Sequence, residues 1–148
     1  MTEFEINLND LLVETFNSIL KYEESLLKQI TGAPVTVTEV HILEVIGRRE
    51  CGLTMGEIAS SLDVKMPTIT VAVKKLAEKG YVSRATCADD SRRTIVTLTE
   101  TGQKLDRAHA FFHRKMVRSL SGDFSESERE ILLIAVKKLS EFFREKTN

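Results

Sequence analysis

Few residues of this 148-residue chain carry side chains suited to chemistry. There are three histidines, His41, His109 and His113, and two cysteines, Cys51 and Cys87. His109 and His113 stand four apart in a stretch with helical spacing, which lets two imidazoles point at one ion. His41 falls in the middle of another helical stretch, and Glu23 lies 18 residues before it. The plain alternative is a buried, hydrogen-bonded His and Glu cluster. A histidine pair without an intervening Glu is poor support for hydrolysis. No Gly-x-Ser-x-Gly elbow, phosphate-binding glycine loop or nucleotide fingerprint occurs, so no enzyme is expected. Cys51 and Cys87 make no Cys-x-x-Cys pair, which fits a reducing cytoplasm better than a disulfide framework. Cys87 beside arginines could sense oxidation, but it has no clear resolving partner.

The elements that position these residues follow from periodicity. Leu8, Leu11, Leu12, Phe16, Ile19, Leu20, Leu26 and Leu27 predict a helix from Asn7 to about Gln29, broken by Gly32 and Pro34. A second helix is expected over Thr38 to Gly47, with Thr38 as its cap. Thr54 should cap a short helix carrying Met55, Ile58, Ala59 and Leu62. After a turn at Asp63-Val64-Lys65, Met66-Pro67-Thr68 opens another, with Ile69, Val73 and Leu76 inward and Gly80 ending it. Two short helices across such a turn make a helix-turn-helix candidate. Tyr81–Arg84 and Thr94–Leu98 read as strands, and a hairpin at that place is a wing. Long helices follow from Thr99 to about Leu120 and after Ser125, which makes a capping-box pattern with Glu128. The expected fold is mainly α with a small β wing: a winged helix-turn-helix over 36–100, flanked by helical regions at 1–35 and 101–148.

The net charge of −1 hides a segregation. Over residues 1–30, Lys21 and Lys28 against Glu3, Glu5, Asp10, Glu14, Glu23 and Glu24 leave −4. Over residues 65–93, seven cations (Lys65, Lys74, Lys75, Lys79, Arg84, Arg92 and Arg93) against Glu78, Asp89 and Asp90 leave +4. Cations concentrated on a reading helix and wing bind phosphates and release counterions. With Ile69, Val73 and Leu76 inward, Lys65, Thr68, Thr70, Val71, Lys74 and Lys75 face outward. The threonines suit base edges or nearby phosphates, Val71 a thymine methyl, and the lysines the DNA backbone. Arg92 or Arg93 suits a minor groove, with Asp90 bracing an arginine. A merely solvated lysine-rich helix beside a polar hairpin is the alternative. No apolar run reaches the roughly 20 residues of a membrane helix, and the acidic start lacks the features of a secretory signal, so a cytoplasmic protein is expected.

At Leu53–Val82, and at Asp90-Ser91-Arg92-Arg93 followed by Val96-Thr97-Leu98-Thr99-Glu100-Thr101-Gly102, the sequence resembles the MarR family of bacterial winged-helix regulators. The resemblance implies homodimers, with 1–35 and 101–148 as a helical dimerisation region whose first and last helices pair, and a near-palindromic double-stranded DNA operator. Residues 39–47 and 109–117 are similar to the FabT branch. That likeness implies repression of fatty-acid-synthesis genes, with a long-chain acyl group on acyl carrier protein as corepressor, although Met66-Pro67 stands where that branch has Gly-Thr. Phe16, Leu20, Phe112 and Met116, with Phe111, are candidates for an effector pocket, or plain core. The Glu, His and His-x-x-x-His arrangement also resembles the principal metal site of the zinc-responsive AdcR/ZitR branch. It carries over to Glu23, His41, His109 and His113, a set that admits zinc or another divalent transition metal. Gln29, Val40 and Ala108 stand where that branch has its second-site ligands. The implied alternative is a zinc-responsive repressor of metal-uptake genes.

Overall fold

In the computed structural model the described residues are 1–32, 35–86, 90 and 93–147. The elements run α1 (Glu3–Thr31), α2 (Val37–Gly47), β1 (Leu53–Thr54), α3 (Met55–Leu62), α4 (Met66–Glu78), β2 (Val82–Thr86), β3 (Thr94–Leu98), α5 (Glu100–Gly122) and α6 (Glu126–Thr147). The chain gathers into two compact units, Met1–His109 and Ala110–Asn148, so that α5 runs from one into the other.

Capping chemistry sets the helix starts. Thr2, Thr36 and Thr54 each accept from the backbone N–H three residues on, while Glu5, Glu39 and Glu57 reach back to the cap N–H. Two boundaries therefore differ from the expectation. The first helix begins at Glu3 rather than Asn7, because the Thr2–Glu5 box precedes the apolar stripe. The second is capped by Thr36 rather than Thr38: Thr36 Oγ1 accepts from Glu39 N at 3.2 Å, and Glu39 Oε2 accepts from Thr36 N at 2.9 Å. At the third box, the hydrogen bonds from Thr54 hold the Glu57 carboxyl below its ordinary pKa. Its contribution to stability is present above the unfolded carboxylate pKa and is lost as acid titrates through the lowered value. Thr54→Ala should cost about 1 kcal/mol, read from a urea midpoint.

The strands form one antiparallel sheet in the order β1-β3-β2. β1 is absent from the sequence expectation; it pairs Leu53 with Val96 and Thr54 with Ile95. Two residues are too few for alternation to register. β2 starts at Val82 rather than Tyr81, because Gly80 at φ +78° turns the chain and Tyr81 C=O is taken by Thr99 N–H at 3.0 Å. The core of the first unit joins Leu27 of α1, Val40, Ile42, Leu43, Val45 and Ile46 of α2, Ile58 of α3, Ile69, Val73 and Leu76 of α4, Val96 of β3 and Leu105 of α5.

Large apolar side chains remain uncovered in both units. In the first they include Leu11 and Phe16 of α1, and in the second Ile131 and Leu133 of α6. In the second unit Ser125 and Glu128 complete the expected box, with Ser125 N donating to Glu128 Oε2 at 2.8 Å. Among the described residues, no helix is long and apolar enough to cross a membrane.

Candidate nucleic-acid interface and effector cluster

The turn between α3 and α4 is built from the backbone. Asp63 ends α3 in the left-handed region at φ 52°, and Val64 N donates to Ala59 O at 3.0 Å. Lys65 is the cap residue of α4 and makes no side-chain cap bond. Burial of Ile69, Val73 and Leu76 fixes the rotation of α4. Lys65, Thr68, Thr70, Val71, Lys74 and Lys75 are consequently all exposed, Val71 at 57%. Thr70 Oγ1 donates to Met66 O at 3.0 Å, which leaves its lone pairs for an incoming donor. Beyond α4, β2 and β3 pair from Val82↔Leu98 to Thr86↔Thr94 as an antiparallel ribbon. Arg93 and Asp90 are exposed, and Arg93 N donates to Asp90 O at 3.0 Å. Arg92 and Cys87 lie outside the described residues.

One of the basic residues faces a different partner. Lys79, at the end of α4, places Nζ 2.8 Å from both carboxylate oxygens of Glu39. Burial raises the Glu39 carboxyl pKa, but the bonds from Lys79 and Thr36 outweigh it and hold the group below its ordinary value. Sequence reading missed this pair. The expected cap was Thr38 rather than the Thr36-x-x-Glu39 box, and a contact spanning 40 residues leaves no local trace.

A second constellation lies where α1, α2 and α5 meet within the first unit. Glu23 of α1 is 3% exposed and His109 of α5 is 1% exposed, and His109 Nε2 is hydrogen-bonded to Glu23 Oε1. His41 of α2 brings Nε2 to 3.4 Å from the same oxygen, with its side chain 45% exposed. The ligand atoms of Glu23, His41 and His109 lie within 4.8 Å of one another. His113 follows His109 by about one turn of α5. A carboxylate with neutral imidazoles suits zinc or a similar borderline divalent ion, so these donors fit such a metal. The same contacts also satisfy the buried polar groups by themselves: among the described residues no buried side-chain nitrogen or oxygen lacks a partner.

The four apolar candidates for an effector pocket divide between the units. On α1 Phe16 is 66% exposed and Leu20 half-buried; on the second half of α5 Phe112 is buried and Met116 half-buried. Phe111 is exposed, and Phe112 packs edge-on to His113 with ring centroids 5.2 Å apart.

Comparison with known proteins bears on this arrangement. Residues 35–94, which hold α2, the helix-turn-helix and the start of β3, match the MarR family. The transcriptional regulator ZitR of Lactococcus lactis subsp. cremoris is 27% identical over 127 residues, 84% of this chain and 86% of that protein. Streptococcus pneumoniae FabT, solved in complex with DNA, is 28% identical with a TM-score of 0.88, over 95% of this chain and 98% of that one. The Staphylococcus aureus MepR–DNA complex is 25% identical with a TM-score of 0.75, over 92% and 97%. The fold is thus shared, over nearly the whole chain, with regulators solved bound to DNA. By this match and these likenesses the chain has the winged-helix fold of MarR-type transcriptional regulators.

Proposed function

We propose that the protein is a homodimeric repressor that reads a near-palindromic operator with α4 and grips the flanking backbone with its wing. The exposed row Thr68, Thr70, Val71, Lys74 and Lys75 carries this reading, because buried Ile69, Val73 and Leu76 leave it no other orientation. Thr68, Thr70 and Val71 contact base edges, Lys65, Lys74, Lys75, Arg92 and Arg93 contact phosphates or the minor groove, and Asp90 supports the wing. Lys74→Ala should weaken binding to selected and random duplexes alike, whereas Thr70→Ala should relax base preference at about one position per half-site. Equal losses on both duplexes for Thr70→Ala would remove it from base reading. The uncovered apolar residues of α1 and α6 supply the pairing surface, and sedimentation should return twice the 16.7 kDa protomer mass.

Likeness to FabT over nearly the whole chain supports a corepressor of the kind that branch implies, a long acyl chain on acyl carrier protein, and a fatty-acid-synthesis regulon. On the second half of α5, Phe112 and Met116 are the apolar side chains offered to the acyl group. Adding long-chain acyl carrier protein should tighten operator binding; an unchanged affinity removes this control.

One observation favours a second reading. Glu23, His41 and His109, with His113 on the next turn of α5, offer the carboxylate and imidazole donors of a zinc site. In this reading the protein is a zinc-responsive repressor of metal-uptake genes, and the ion would cross-link helices that otherwise meet only by packing and hydrogen bonds. Zinc should then bind near one equivalent per protomer and change operator affinity, and His109→Ala should abolish both effects. Purified protein that takes up no ion from micromolar zinc eliminates it.

A further inference from the structure

We infer that Glu39 is a positioning residue that sets the tilt of the reading helix through Lys79; this rests on the reading of α4 proposed above. The two ends of α4 are held differently. At its start Lys65 provides no side-chain cap bond, and the outward residues Lys65, Met66, Pro67 and Thr68 are all exposed. At its far end several bonds converge. Tyr81 N donates to Leu76 O at 2.9 Å, Thr99 Oγ1 donates to Gly80 O at 2.7 Å, and Lys79 Nζ donates to both oxygens of Glu39 at 2.8 Å.

These contacts do different things. The backbone joint at Gly80 and Tyr81 fixes where the helix ends, and Ile69, Val73 and Leu76 fix how deep it sits. That burial sets the rotation of α4 about its own axis but supplies no directional tie at its C-terminal end. The Glu39–Lys79 bond is directional and comes from a different helix. Its acceptor cannot wander, because Glu39 is 6% exposed and one of its oxygens also takes the Thr36 N–H that starts α2. The pair therefore ties the C-cap residue of the reading helix to the first turn of α2.

Helix geometry magnifies this anchor. Thr68 is eleven residues before Lys79, about 17 Å along the axis, so a tilt of about 5° at Lys79 moves Thr68 by about 1.5 Å. A hydrogen bond to a base edge does not survive that shift, whereas a flexible lysine follows a phosphate through it. Loss of the pair should thus reduce discrimination between sequences and leave phosphate binding in place.

The test uses the full-length protein, a duplex enriched by the wild type from a randomised pool, and a shuffled duplex of the same length. Glu39→Gln keeps an acceptor for Thr36, Lys79→Met keeps the aliphatic stem, and Lys79→Arg keeps a charged donor. Thermal midpoints verify that each variant is folded. Glu39→Gln and Lys79→Met should each lower the ratio of enriched to shuffled affinity about tenfold, with the salt dependence unchanged. The double variant should be no worse than Lys79→Met alone, and Lys79→Arg should return the ratio to within about twofold. A purely structural role would reduce both affinities together and leave the ratio unmoved, which overturns the inference. It is equally overturned if Lys79→Met weakens both duplexes and lowers the salt slope, since Lys79 would then be a phosphate contact. A wild-type protein that enriches no sequence defeats the reading of α4 itself, and the role of the pair with it.

Discussion

Raising the salt from about 50 to about 200 mM should weaken operator binding by about a thousandfold or more. In the proposed dimer, two copies each offering Lys65, Lys74, Lys75, Arg92 and Arg93 present about ten cations to the DNA, and six to ten phosphate contacts lose roughly 10³–10⁵ in affinity over that range. Lys79 is left out of this count because its ammonium lies against Glu39. Arg84, exposed on β2, would add to this count. A plot of log affinity against log salt gives the slope. Lys74→Ala should make it shallower by about two, one for each copy. A slope near zero would mean that the exposed lysines of α4 do not face the DNA backbone. The acidic residues 1–30, at −4, add nothing to this phosphate binding.

Gly102→Ala should be among the most destabilising single substitutions, at about 3 kcal/mol in a urea titration. A Cβ at this position would stand 2.0 Å from Tyr81 O and 3.0 Å from Tyr81 C, both of them backbone atoms. Several chain segments meet there. Tyr81 O accepts from Thr99 N at 3.0 Å, and Gly102 N donates to Thr99 Oγ1 at 3.1 Å. Thr99 Oγ1 in turn donates to Gly80 O, so the end of α4, the end of β3 and the start of α5 share one knot of hydrogen bonds. A methyl group forces them apart. Gly80→Ala makes the comparison, since its φ of +78° carries strain but nothing lies within 4 Å of the added carbon. That variant should cost only about 1–2 kcal/mol. Were the two equally destabilised, backbone conformation rather than close approach would be what Gly102 provides.

Much of the winged helix was readable because its signals are local. Periodic Ile69, Val73 and Leu76, the Pro67 start and the Thr54 cap each lie within a few residues of what they specify, and α4 forms with the rotation those positions imply. The β-branched run Thr94–Leu98 is a strand over those same residues. Boundaries slipped where two cues competed. Thr36 and Thr38 both precede the apolar stripe of α2, and the Glu three residues after Thr36 decides between them. β1 was illegible because it exists only as a partner of β3. The Glu23, His41 and His109 cluster was half legible: the i, i+4 histidines showed in the spacing, but the meeting of three helices is a tertiary fact. Lys79 shows the remaining gap. In the sequence it is one more positive charge; folded, it belongs to a carboxylate 40 residues away.

The uncovered faces of α1 and α6 carry a consequence for gene control. Phe4, Leu11 and Phe16 on one helix, and Ile131 and Leu133 on the other, expose apolar area in each unit that the proposed pairing would remove from water. With pairing as proposed, protomer stability and operator occupancy both become functions of protein concentration. Below the dimer dissociation constant, the amount of competent repressor rises as the square of the number of chains. A twofold change in synthesis then alters promoter occupancy about fourfold before saturation. The strength of the α1 and α6 packing thereby sets the steepness of the dose response, independently of any residue that touches DNA.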